Sequence, residues 1–158
     1  VYINPASQEL YADFYNGMLG TSLTWEQIFE QTDRDINLQR VMNAMSFGAT
    51  TFEQDWIPDR AIGPTEDALY ELEEKYNDQQ LAALWNSPVE EVEKMETVQK
   101  REALMKHRKA ELHKLIDIYY AQRGWTDKGI PAIDTLKRIG LWDFLNEEAR
   151  SRLAALNG

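Results

Sequence analysis

The feature that most constrains this chain is a stretch of about 35 residues, Val89 to Arg123, with neither glycine nor proline, enough for a helix about 50 Å long. Apolar side chains recur along it at helical spacing: Val89, Val92, Met95, Leu104, Met105, Leu112, Leu115, Ile116 and Tyr119. Ser87-Pro88 with Glu90 reads as a capping box and first turn. Gly124 supplies the stop, and a Schellman-type end there would fold Trp125 back onto Tyr119 or Tyr120. The apolar period lapses near Gln99 to Arg101, where such a helix would break if it breaks at all.

The remaining chain punctuates in the same way. Asn4-Pro5 reads as a helix start, followed by Leu10, Tyr11, Phe14 and Met18 at helical spacing, with Gly17 and Gly20 as the stop. Thr24 with Gln27 is a capping box opening a helix from Trp25 to about Met45, with Ile28, Phe29, Ile36, Val41 and Met45 as its apolar positions. From Phe47 to Pro64 the pattern is broken by Gly48, Pro58, Gly63 and Pro64, so an ordered loop anchored by Trp56 and Ile57 is expected there. A helix over 65–76 would face Leu69, Leu72 and Tyr76 inward, with a short turn over 81–85. Two short helices near 133–139 and 145–156 close the chain. No segment alternates with period two long enough to be a strand. The expected architecture is therefore all-α, a multi-helical orthogonal or bundle-like arrangement in a single domain over 1–158, with one long helix near 88–123 and a long ordered loop near 47–64.

Composition narrows the function. The chain carries 17 Lys and Arg against 27 Asp and Glu, a formal charge of −10. That charge repels phosphate backbones, and the basic run Lys94 to Lys114 reads as a solvated helix face, so no nucleic-acid partner is expected. No apolar run approaches the roughly 20 residues that span a bilayer, and Val1 to Asn4 does not open a secretory signal, so no membrane partner is expected. The chain has no cysteine. This leaves it without disulfides, thiolate nucleophiles or cysteine ligands for iron–sulfur clusters, and fits a cytoplasmic location. It opens on Val1 rather than Met, as expected of a piece of a longer protein.

Residues for chemistry are sparse. His107 and His113 are the only histidines, and a spacing of six puts them about 240° apart around a helix, not on the shared face that a metal needs. The acidic runs Glu71, Glu73, Glu74 and Glu90, Glu91, Glu93 lie on polar helix faces, without the desolvation that tunes a catalytic carboxylate. Neither a glycine-rich phosphate loop nor a Ser-His-Asp set is present. No catalytic, cofactor-binding or metal residue is therefore assigned, and the isolated chain is expected to be inactive and to bind neither metal nor cofactor.

Two stretches exceed what a generic helical domain needs. In the first, Asp33-Arg34, Asn37-Leu38, Arg40 and Asn43 are followed by Asp55, Ile57-Pro58 and Arg60. In the second, Tyr119-Tyr120, Arg123-Gly124-Trp125, Gly129 and Pro131 precede Leu136, Ile139 and Gly140-Leu141. In order and spacing these resemble the C-terminal portion of aldehyde ferredoxin oxidoreductases, over about Leu10 to Leu141. Thr32-Asp33-Arg34-Asp35 stands where the family has G-E-R-I, Met45 stands at a family arginine, and the next glycine is displaced to Gly48.

The resemblance implies a parent that holds a tungsten or molybdenum bis-pterin and a 4Fe–4S cluster, and oxidises aldehydes to carboxylic acids with ferredoxin as electron partner. The cluster cysteines and pterin motifs of that family lie upstream of the matched part. This chain would then be a helical scaffold packed against upstream domains of its parent, helping to wall a substrate channel. The rival readings are a stand-alone helical module for protein–protein contact or a degenerate homologue without redox activity; exposed apolar faces would also allow a homo-oligomer. Arg60 and Arg123, each fixed in a motif, are expected to be structural clamps.

Overall fold

The computed structural model describes residues 6–47 and 52–158. The Asn4-Pro5 helix start and Gly48 lie outside the described residues. Among these residues the secondary structure is helical, with one isolated bridge between Trp125 and Pro131 and no strand, as the sequence leads one to expect. Contacts gather the chain into two compact units, one formed by Val1–Phe52 with Tyr120–Gly158 and the other by Glu53–Tyr119.

The first unit begins with α1 (Ala6–Leu19) and α2 (Trp25–Phe47). Gly17 lies inside α1, and the stop falls to Gly20 at φ +66°. The α2 capping box forms reciprocally: Gln27 N–H donates to Thr24 Oγ1 at 3.3 Å, and Thr24 N–H donates to Gln27 Oε1 at 2.9 Å. Later come α9 (Ile133–Arg138), a single 3-10 turn at Trp142–Phe144, and α10 (Glu147–Asn157), whose Asn146 cap accepts from Ala149 N–H at 2.9 Å. Val41 and Ala44 of α2 meet Ile130, Leu136, Ile139, Leu141 and Leu153 in one core. The apolar face expected of α1 points outward instead: Leu10, Tyr11, Phe14 and Met18 are exposed, Met18 at 83%. α1 meets α2 through small and polar groups: Ala12 is buried, Tyr15 donates to Gln31, and Asn16 bonds both backbone groups of Leu23.

The second unit holds α3 (Phe52–Asp55), α4 (Asp59–Ile62), α5 (Asp67–Glu71), α6 (Glu74–Trp85), α7 (Val89–Glu93) and α8 (Thr97–Arg123) up to Tyr119. The ordered loop expected over 47–64 is, where described, two single-turn helices, and Ile57 is exposed rather than anchoring. Four-residue helices are too short to leave a periodic signature. The expected helix over 65–76 is split at Leu72-Glu73, and Leu72 and Tyr76 are exposed, Leu72 at 79%. The inward set is Tyr70, Asn77, Asp78, Leu81 and Ala82. These also recur at helical spacing, but Asn77 and Asp78 make part of the face polar, and an apolar template misses it.

The long helix is interrupted between α7 and α8, earlier than the lapse near Gln99 to Arg101. Val92 and Leu104 share one core with Tyr70, Leu81 and Ala82. On a continuous helix they would sit about 120° apart around the axis, and the break lets both face that core. The Ser87 box does not form. Pro88 occupies the cap position of α7, and no side chain caps it. Ser87 instead closes the preceding helix: its N–H donates to Ala82 O at 3.0 Å, beyond Asn86 in the left-handed conformation at φ 50°.

Candidate functional site

The part of the first motif stretch on α2 and the second stretch from Tyr120 onward converge in the first unit, whereas Asp55, Ile57-Pro58 and Arg60 belong to the other unit. Positions 33, 37 and 40 fall on one face of α2 by helical spacing. Opposite them, α8 ends in a Schellman motif: Gly124 has φ +67°, its N–H donates to Ala121 O at 3.1 Å, and Trp125 N–H donates to Tyr120 O at 2.9 Å. This stop turns Trp125 onto Tyr120, with ring centroids 5.7 Å apart.

Side chains then tie motif to motif. The Trp125 indole N–H donates to Asn37 Oδ1 at 2.9 Å, and the Asn37 amide donates to the Asp33 carbonyl at 2.8 Å. Arg123 Nη1 pairs with Asp33 Oδ1 at 2.6 Å. Arg40, buried, donates from Nε to Gly129 O at 2.7 Å, and its guanidinium lies 4.7 Å from the Trp125 ring centroid and 5.8 Å from that of Tyr120. Arg34 Nε donates to Ile139 O at 2.6 Å, and Thr135 Oγ1 donates to Gly124 O at 2.8 Å. Gly129 has φ +72°, and a Cβ there would overlap Arg40 Nη2 and come within 2.8 Å of the Tyr120 ring. The motif glycine is thus required twice, by conformation and by space.

These bonds satisfy cations with carbonyls, a carboxylate and ring faces. They fix a shape. Arg123 is the clamp expected of it. Arg60 is not: it is exposed on α4 and, among the described residues, makes no hydrogen bond or ion pair. The expected pairing fails because α4 is a single turn that turns this side chain outward. Leu38 and Asn43 are likewise exposed and stand outside the corner. A groove of about 440 Å³ beside it is lined by Leu38, Met42, Met45 and Phe144, with no titratable group in its wall.

A second polar cluster, in the other unit, lies outside the motifs. Lys100, 1% exposed at its side chain, donates to Asp78 Oδ2 at 3.0 Å and to Glu74 Oε1 at 2.8 Å. Asp78 is 3% exposed, and its Oδ1 accepts from the Tyr70 hydroxyl at 2.6 Å. Arg108 Nη2 donates to Asn77 Oδ1 at 3.0 Å and to Gln80 Oε1 at 2.7 Å. Burial alone pulls the Lys100 ammonium down, but the bonds from Glu74 and Asp78 outweigh it and hold it above its ordinary value. Burial, and then the bond to Asp78, push the Tyr70 hydroxyl well above the usual phenol range.

This corrects the reading of Lys94 to Lys114 as a solvated face, since Lys100 is among the most buried side chains of the chain. A signal was present in the sequence. Lys100 sits four residues before Leu104, in the slot where the apolar period lapses. The other acidic positions, Glu71, Glu73, Glu90, Glu91 and Glu93, are exposed as expected. His113 faces Asp117 at 3.1 Å, both exposed.

A family model described as aldehyde ferredoxin oxidoreductase, domains 2 & 3, matches residues 2–141. No curated protein and no solved structure matches the chain. The cofactors of that family can be tested against the donors on hand. An iron–sulfur cluster needs thiolates, and the sequence has none. Among the described residues no three His, Asp or Glu side chains gather closely enough to hold a metal ion. The residues present do not fit a cluster, and no step is routed through one. Among the described residues no helix is long and apolar enough to cross a membrane.

Proposed function

This chain belongs to the aldehyde ferredoxin oxidoreductase family, within the part described as domains 2 and 3, and on that premise we propose that it is a scaffold portion of a larger oxidoreductase. The parent's reaction is the oxidation of an aldehyde to a carboxylic acid with transfer of electrons to ferredoxin. Its tungsten or molybdenum bis-pterin and 4Fe–4S cluster are held by upstream domains of the same parent chain. The role of this portion is to pack against those domains and to supply part of the channel wall, without donating a cofactor ligand. The exposed apolar side chains Leu10, Phe14 and Met18 agree with a surface that is covered in the parent.

One observation carries the scaffold reading: the polar groups of the two motifs bond to one another, Asp33 to Arg123, Asn37 to Trp125 and Arg40 to Gly129. Groups held in this way position backbone rather than substrate. The test is Asn37→Ala in the full-length parent, followed by thermal unfolding and by turnover per metal-loaded molecule. A scaffold residue lowers Tm and leaves turnover per loaded molecule within about twofold. An unchanged Tm with turnover reduced more than about tenfold contradicts the proposal.

A further inference from the structure

We draw no further inference here: the strongest candidate, the exposed face of α1 and the start of α2 formed by Leu10, Tyr11, Phe14, Met18 and Phe29, is an unpartnered apolar surface, and nothing in the structure shows what covers it.

Discussion

The two polar clusters solve the same problem by different means. In the first unit, the cations Arg34 and Arg40 are directed at backbone carbonyls and aromatic faces, and Arg123 at a partly exposed carboxylate. In the second unit, Lys100 is balanced by two carboxylates, one of them as buried as itself. A carbonyl or a ring face cannot lose its role by titration, whereas a buried ion pair can. The carbonyl-based corner also depends on backbone shape, so glycine at 124 and 129 belongs to it. The ion cluster depends only on side chains reaching one point. This explains why the first cluster leaves a motif in the sequence and the second does not: shape requirements fix glycine, proline and tryptophan at set spacings, and charge balance does not.

The comparison breaks most severely at Gly129. Gly129→Ala combines a left-handed conformation that an L-residue adopts at a cost with overlap against Arg40 and Tyr120. The first unit should lose roughly 3–5 kcal/mol, measured by urea unfolding. A loss below about 1 kcal/mol would show that Arg40 moves aside freely and that the corner is loose.

For the second unit the informative experiment is a pair of variants. Lys100→Met leaves Asp78 buried without its cation and should cost roughly 3–5 kcal/mol. Adding Asp78→Leu removes the orphaned charge, and most of that loss should return. Tyr70 then lacks its acceptor, which limits the recovery by about 1 kcal/mol. If the double variant is no more stable than the single, side-chain packing rather than charge balance holds this cluster.

Alkaline titration separates the two units with a smaller effect. Tyr70 and Lys100 both hold their protons more tightly in the folded protein than their ordinary values allow. Once pH passes about 10, where unfolded tyrosine and then lysine release protons, the unfolded state binds fewer protons than the folded one. Stability then falls as pH rises, after being fully present below that point. Urea midpoints measured between pH 8 and 11 should therefore drop above about pH 10 in wild type. The drop should be shallower in Tyr70→Phe, which removes one of the two titrating groups. Equal slopes in the two proteins would remove Tyr70 from this account.

What the sequence disclosed follows the range of the interactions. The Thr24–Gln27 box and the Gly124 stop are closed by residues within five positions of one another, and both were legible. The Ser87 box was not, because two local motifs compete for one segment, and the Asn86 helix end takes the serine N–H that a cap would leave free. The second cluster was hidden for another reason. A lysine in a basic, interrupted run reads as surface, and only the approach of α6 to α8 makes Lys100 an interior residue. Arg123 was legible as a clamp because a helix end supplies its own reason for a cation. Arg60 carried no comparable local reason, and it is exposed.

The central claim is that the two motif stretches are held to each other, across 90 residues of sequence in the case of Asp33 and Arg123. A double-mutant cycle on that pair tests it most directly: Asp33→Ala, Arg123→Ala and the double variant, each unfolded in urea beside wild type. Neighbours that bond directly should be non-additive, with a favourable coupling of about 1 kcal/mol or more. A coupling below about 0.3 kcal/mol, with both single variants folded, would mean that each residue acts on its own and that the motifs do not form one corner.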